Sequence, residues 1–95
     1  MNHRIDEMLE PGSKIGILGG GQLGRMLAVA ATRLGFKSHI FEPAENSPAS
    51  QVSFQVSTAS YEDEKALIEF AKDVDIITYE FENIPTSALD ILEKI

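Results

Sequence analysis

The 95-residue sequence lacks cysteine and tryptophan, and its 8 lysine and arginine residues are outnumbered by 15 acidic residues. Without cysteine the chain has no disulfide, zinc knuckle or thiol nucleophile. A net charge of -7 argues against a nucleic-acid surface, because neutralising phosphates requires clustered lysine and arginine.

The longest apolar run, Met26–Ala31, is far shorter than the roughly 20 residues that span a bilayer, and residues 1–13 lack the apolar core of a signal peptide. We therefore expect a soluble cytoplasmic protein whose partners are small molecules or proteins.

The hydrophobic pattern predicts alternating strands and helices. Residues 1–13 form a lead-in, either a short helix or a disordered segment, which ends in a turn at Pro11-Gly12. Strands are predicted at 14–18, 38–42, 54–57 and 76–79, and helices at 22–34, 61–73 and from Pro85 onward, with a loop at 43–53. Gly35 stands where a helix C-cap belongs. This alternation predicts an α/β fold with a parallel sheet, flanking helices and right-handed connections.

A glycine-rich segment follows the first predicted strand and opens the first helix. Gly19–Gly24 matches G-x-G-x-x-G, and the strand-turn-helix context is what gives this short pattern weight. Glycines permit positive φ and close approach of a ligand, while the helix N-terminus favours an anion. The alternative is that the glycines only pack the helix against the strand. We expect a ligand site at this turn.

Two charged residues near the turn have open interpretations. Glu42 ends the second strand about twenty residues after the glycines, where a dinucleotide-binding fold places a ribose-binding carboxylate. It could equally be a solvated strand end beside Pro43. Arg25 could reach a phosphate from the first helical turn, although a solvated surface arginine is the commoner case.

A pair of acids, Glu80 and Glu82, follows the fourth strand. Period-two geometry sends both side chains to one side, and ligands of open α/β sheets bind at the carboxyl edge. Glu80 is the better candidate for accepting hydrogen bonds from a ribose or amine. Glu82 could instead stabilise the next helix N-terminus.

Catalytic chemistry within the chain finds no support in the sequence. His39 lies inside a short strand without metal-ligand spacing, which favours a packed or surface histidine over a base. We expect no serine, histidine and acid to come together in one place, so the sequence gives no support for hydrolase chemistry. No catalytic residue and no metal ligand are predicted here.

Three segments together resemble a known family. The run Lys14–Met26, the loop Ser47–Ala49 and the run Tyr79–Pro85 look like the start of the 5-(carboxyamino)imidazole ribonucleotide synthases. Those enzymes are ATP-grasp ligases that begin with a Rossmann-like pre-ATP-grasp domain. The resemblance covers residues 14–95 and leaves residues 1–13 outside. A related family, the formate-dependent glycinamide ribonucleotide transformylases, typically has glutamate where this chain has Gln22.

The resemblance implies a function in purine biosynthesis. It implies an enzyme that uses ATP and Mg²⁺ to activate bicarbonate and then carboxylates 5-aminoimidazole ribonucleotide, with a homodimer as one candidate assembly. Its implied ribonucleotide-binding residues are Gly20, Gly21, Gln22, Leu23, Glu80 and Glu82. The modules that hold ATP and Mg²⁺ are absent from these residues, so the chain alone is expected to be inactive and the natural chain to continue.

Two other functions remain possible from the sequence. A nicotinamide-dependent oxidoreductase would explain the glycine pattern and Glu42 equally well, but it gives no reason for the run from Glu80 to Pro85. A stand-alone ligand-sensing module would require the natural chain to end near Ile95.

Overall fold

A parallel four-stranded sheet flanked by helices on both faces organises the chain. The computed structural model describes residues 10–79 and 86–93. The elements are β1 (Lys14–Leu18), α1 (Gln22–Arg33), β2 (Lys37–Glu42), a short 3-10 helix (Ala49–Gln51), β3 (Gln55–Thr58), α2 (Glu64–Asp73), β4 (Ile76–Tyr79) and α3 (Thr86–Glu93). Every strand pair is parallel, and the order across the sheet is β3-β2-β1-β4. The predicted α/β class is confirmed.

Two apolar clusters fill the spaces between the sheet and its helices. Alternate residues of a strand face opposite sides, so β1 and β2 contribute to both clusters. The cluster on the α1 side contains Ile15, Ile17, Ala28, Ala31, Ile40, Ala49 and Ile76. The cluster on the α2 and α3 side contains Leu18, Phe41, Tyr61, Leu67, Phe70 and Ala88. Strand β1 is therefore buried on both of its faces, and this packing fixes its position. Its carboxyl end leads into the glycine turn.

Helix α1 ends where the sequence predicts. The Gly35 N–H donates to Thr32 O at 3.0 Å and the Phe36 N–H donates to Ala31 O at 2.9 Å, which is the bonding pattern of a Schellman motif. Gly35 adopts φ 87°, a left-handed conformation that glycine reaches without steric cost. Within the described residues, no helix is long and apolar enough to cross a membrane.

The region after β2 differs in detail from the prediction. The loop predicted at 43–53 contains the 3-10 helix, which Pro48 starts at φ -52° and ψ -43°. The third strand runs from Gln55 to Thr58, one residue later than predicted, and Phe54 stands before it with 60% of its surface exposed. A short apolar run marks a strand but does not define its ends, because pairing with β2 decides them.

The later elements follow the predicted pattern, except that α2 begins at Glu64, three residues later than predicted. Asp63 caps α2 by accepting a hydrogen bond from the Ala66 N–H at 3.0 Å, as expected for the acidic helix start. Helix α2 ends at Asp73 and β4 covers the predicted residues. Helix α3 begins at Thr86, while Pro85, the predicted opening residue, lies outside the described residues.

Candidate functional site

The glycine turn lies at the carboxyl end of β1, next to the point where the order in which the strands are added across the sheet reverses. The chain proceeds from β1 outward to β2 and β3, then returns to place β4 on the other side of β1. In open α/β sheets such a switch point leaves a crevice between the loops that leave the two neighbouring strands. One of those strands, β1, leads into Gly19–Gly21, and the other, β4, ends at Tyr79. The topology therefore brings the glycine turn and the carboxyl end of β4, which Glu80 follows in the sequence, to one edge of the sheet.

Backbone geometry exposes a set of amides at the start of α1. Gly19 takes φ 108°, which redirects the chain from the strand into the turn. Gly21 is the N-cap, and no side chain caps the helix there. The first helical bond runs from the Arg25 N–H to Gly21 O at 2.9 Å, so the amides of Gln22, Leu23 and Gly24 precede the ladder. These N–H groups and the helix dipole make the turn a place for an acceptor-rich ligand.

Close packing explains two of the glycines. A Cβ on Gly24 would collide with the carbonyl oxygen of Gly19, so α1 approaches β1 more closely than a larger residue allows. A Cβ on Gly20 would stand 2.6 Å from Ser47 Oγ and 2.7 Å from Glu42 Cγ. The packing explanation therefore holds for Gly24 and Gly20, whereas the conformation of Gly19 and the uncapped amides of α1 remain suited to a ligand.

Glu42 supports the turn from β2. Its Oε1 accepts a hydrogen bond from the Gly20 N–H at 2.8 Å, and its Oε2 accepts one from the Ala44 N–H at 2.9 Å. The side chain is half-buried. Both interpretations offered by the sequence, a ribose ligand and a solvated strand end, missed these two contacts. The spacing of about twenty residues from the glycines was the only signal, and it did not specify the partner.

Of the other predicted site residues, those in the first turn of α1 lie in the described part of the chain, and the two acids after β4 do not. Gln22 and Leu23 are exposed in the first turn of α1. Arg25 is half-buried, and its Nη1 donates to Gln51 Oε1 at 3.2 Å, so it bonds within the protein. Glu80 and Glu82 lie outside the described residues and stay predictions.

Ser47 is a buried hydroxyl beside the turn. Its side chain is 6% exposed, and among the described residues its Oγ has no hydrogen-bond partner. A buried hydroxyl without a partner costs free energy, of the order of 1 to 3 kcal/mol. The sequence places Ser47 in the segment Ser47–Ala49 but does not reveal its burial beneath Gly20, because tertiary packing decides that burial.

A second polar cluster lies beneath α2, away from the glycine turn. His39 Nδ1 lies 2.8 Å from Asp73 Oδ2, and His39 Nε2 lies 2.7 Å from Ser57 Oγ. The Lys14 Nζ is 2.9 Å from Asp73 Oδ1. The expectation that no serine, histidine and acid come together is therefore wrong, because three strands and a helix terminus bring residues distant in sequence into contact.

The geometry of this second cluster fits a packed histidine. His39 is only 2% exposed, and its ring meets the Phe70 ring edge-on with centroids 4.8 Å apart. Burial lowers the pKa of His39 below its ordinary value, although the hydrogen bond and charge of Asp73 oppose that shift. The Lys14 ammonium lowers the pKa of Asp73. Because the imidazole is buried, a substrate does not reach it, and the cluster instead connects α2 to the sheet. This agrees with the prediction that His39 is a packed histidine.

The described part of the chain contains no candidate metal site. In residues 10–79 and 86–93, no group of three or more histidine, aspartate or glutamate side chains is arranged to hold a metal ion.

Residues 12–95 match the family described as the ribonucleotide synthetase preATP-grasp domain. The chain is 58% identical over 86 residues to the N5-carboxyaminoimidazole ribonucleotide synthase of Brucella melitensis, covering 90% of this chain and 24% of that protein. The Bacillus subtilis enzyme of the same name is 47% identical over 87 residues, covering 92% and 23%.

Solved structures agree with this similarity. An N5-carboxyaminoimidazole ribonucleotide synthetase in complex with ADP superimposes with a TM-score of 0.84 at 50% identity, covering 90% of this chain and 23% of that one. The Aspergillus clavatus N5-carboxyaminoimidazole synthase, solved in complex with ADP and the aminoimidazole ribonucleotide, superimposes with a TM-score of 0.74 at 40% identity, covering 88% and 23%. The chain thus spans about a quarter of the length of the relatives it matches.

Proposed function

Because the chain belongs to the ribonucleotide synthetase preATP-grasp domain family, we propose that it is the N-terminal substrate-binding domain of an ATP-dependent ligase. The ligase carboxylates 5-aminoimidazole ribonucleotide with bicarbonate in purine biosynthesis. Residues 14–95 form this Rossmann-like domain, and residues 1–13 precede it. The observation that carries the proposal is the glycine turn, whose uncapped helix amides open at the β1/β4 switch point. A relative 40% identical to this chain was solved with that ribonucleotide and ADP, which supports the choice of ligand.

The turn is suited to a mononucleotide. We expect the backbone of Gly20 and Gly21 to face the ribonucleotide, with Gln22 and Leu23 beside it in the first turn of α1. The Gln22 amide has both a donor and an acceptor and can bond to a ribose hydroxyl or an imidazole substituent. Glu80 and Glu82 follow β4, the strand next to β1, and are expected to complete the site from across the crevice.

The chemical steps divide between this domain and the rest of the enzyme. ATP phosphorylates bicarbonate to carboxyphosphate with release of ADP, and the substrate amine then attacks the carboxyl carbon with release of phosphate. ATP and Mg²⁺ are held by modules outside this chain. The role of this domain is to orient the amine toward the activated carbon, which converts binding energy into rate through proximity. We expect the enzyme to act in the cytoplasm, and a homodimer is the assembly we would test first.

The oxidoreductase alternative is weakened at Glu42, the residue on which it depended. In a dinucleotide-binding fold the acid at the end of the second strand accepts the ribose hydroxyl. Here both carboxylate oxygens of Glu42 already accept backbone hydrogen bonds. The glycine pattern alone does not favour NAD over a mononucleotide.

Binding measurements on the full-length protein test the proposal. We expect saturable calorimetric binding of 5-aminoimidazole ribonucleotide and no micromolar binding of NADH. ADP release should require ribonucleotide, bicarbonate, ATP and Mg²⁺ together. Residues 1–95 alone should neither hydrolyse ATP nor bind NADH. Micromolar NADH binding without ribonucleotide binding would overturn the ligase proposal in favour of an oxidoreductase.

A further inference from the structure

We infer that Glu42 is a positioning residue that holds the glycine turn in its ligand-binding shape without contacting the ligand. The inference rests on the proposed function, because it names how that same site is kept in shape. It assigns to the acid at the end of β2 a role different from the ribose contact that its sequence position suggests.

Both oxygens of Glu42 accept hydrogen bonds from backbone amides of the protein. Oε1 accepts from the Gly20 N–H at 2.8 Å and Oε2 accepts from the Ala44 N–H at 2.9 Å. One carboxylate thereby connects the second residue of the glycine turn to the loop after β2. Charge-assisted bonds of this length are among the stronger hydrogen bonds in proteins.

Packing places Glu42 directly against Gly20. A Cβ built on Gly20 would stand 2.7 Å from Glu42 Cγ and 2.9 Å from Glu42 Cβ. Gly20 is itself buried, and its carbonyl oxygen accepts from the Ala49 N–H at 2.9 Å. Gly20 is therefore held by both of its backbone polar groups, one through Glu42 and one through the 3-10 helix.

The charged form of the side chain is required for this arrangement. A carboxylate offers two acceptor oxygens, whereas a glutamine offers one acceptor and one donor. In Glu42→Gln, one of the Gly20 and Ala44 N–H groups would face an amide N–H. The turn should loosen while the side chain keeps its volume.

The two bonds of Glu42 bear on ligand choice. Because each carboxylate oxygen already accepts one backbone N–H, a dinucleotide's ribose would have to share the carboxylate with Gly20 and Ala44. The turn is thus fixed for a ligand that binds through the amides at the start of α1. Losing Glu42 should weaken binding of the ribonucleotide without creating binding of NADH.

Hydrogen exchange and steady-state kinetics on the full-length protein test the inference. The variants are Glu42→Gln and, as a matched control, Glu45→Gln, which removes the same charge from an exposed position in the same loop. In Glu42→Gln we expect faster amide exchange in peptides covering residues 19–24 and a rise of about 10-fold in the KM for 5-aminoimidazole ribonucleotide, as for loss of a bond to a charged group. The kcat and the KM for ATP should stay near the wild-type values. Glu45→Gln should match wild type in both measurements.

The outcomes separate this inference from the proposed function. A raised KM with unchanged exchange would mean that Glu42 contacts the ligand directly, which overturns the positioning role. Faster exchange with an unchanged KM would also overturn it, since the shape of the turn would then not matter for binding. A wild-type protein that binds no ribonucleotide would instead refute the proposed function, and it would be recognised before any variant is compared.

Discussion

The carbonyl oxygen of Gly19 occupies the space that a Cβ on Gly24 would need. The first turn of α1 therefore packs against the end of β1 through backbone, and only glycine fits at position 24. This contact sets the direction in which the helix amides point, so it links packing to the ligand site.

Gly24→Ala should lower the free energy of unfolding by about 2 kcal/mol or more, because the colliding atom belongs to backbone and backbone relaxes poorly. The sign is diagnostic, since replacing an ordinary helical glycine by alanine stabilises by about 0.5 to 1 kcal/mol. Thermal and urea melts of the full-length protein measure the effect. A stabilised variant would contradict the close approach.

Gly21→Asp should damage ligand binding more than folding. Gly21 has φ -75° and ψ -160°, a conformation open to any residue, and aspartate is a favoured N-cap. Its carboxylate would, however, compete for the helix amides and repel an anionic ligand. We expect a melting temperature close to wild type with at least about 10-fold weaker ribonucleotide binding, equivalent to about 1.4 kcal/mol. Loss of the fold without a separable binding defect would favour a purely structural glycine turn.

Glu80→Gln should reduce kcat/KM for 5-aminoimidazole ribonucleotide by about 10- to 150-fold, the range expected for a hydrogen bond to a charged group. The KM for ATP should change little, because ATP binds outside this domain. Glu82→Gln serves as the matched comparison and should have the smaller effect. If Glu82→Gln is the damaged variant, the two acids have been assigned in the wrong order, and if neither variant changes, the acids do not line the crevice.

Acid should destabilise the fold through His39. Burial holds the pKa of His39 below 6.5, so below that pH the unfolded chain binds a proton more readily than the folded chain. The contribution of His39 is complete above pH 6.5 and is lost as the pH falls through the folded-state pKa. The Asp73 carboxyl, whose pKa is lowered by Lys14, adds a second loss below its ordinary value of 3.8.

Melting temperatures between pH 5 and 8 measure the His39 effect. The wild-type melting temperature should decline below about pH 6.5, the ordinary histidine value. His39→Gln should flatten the profile in that window even if it lowers stability overall. An equal slope in both proteins would mean that other groups cause the acid sensitivity.

Ser47→Ala should leave the fold intact or stabilise it by about 1 kcal/mol, because it removes a buried hydroxyl that has no hydrogen-bond partner in the described part of the chain. Ser50→Ala is the contrasting variant, since the Ser50 hydroxyl donates to Ser47 O at 2.6 Å. Urea unfolding of the two variants gives the comparison. Marked destabilisation by Ser47→Ala would reveal a bond that this geometry lacks.

Local patterns were sufficient for the order of elements. The apolar run before Gly19, the helical spacing after Gln22 and the turn at Gly35 each depend on neighbours in sequence, and the structure places β1 and α1 as they predict. The parallel sheet also followed, because strands separated by helices have few other arrangements. Residue type and spacing alone therefore established the fold class and the glycine turn.

Contacts between distant segments were decided only by the tertiary structure. Glu42 finds the Gly20 N–H because parallel pairing of β1 with β2 aligns the ends of those strands, and its spacing in sequence fits several partners equally. His39 meets Ser57 and Asp73 because pairing of β2 with β3 and the docking of α2 bring the three side chains together. Sequence periodicity specifies which face a residue occupies, whereas strand register and helix docking specify what lies opposite it, and that second kind of information arises only when the whole sheet has packed.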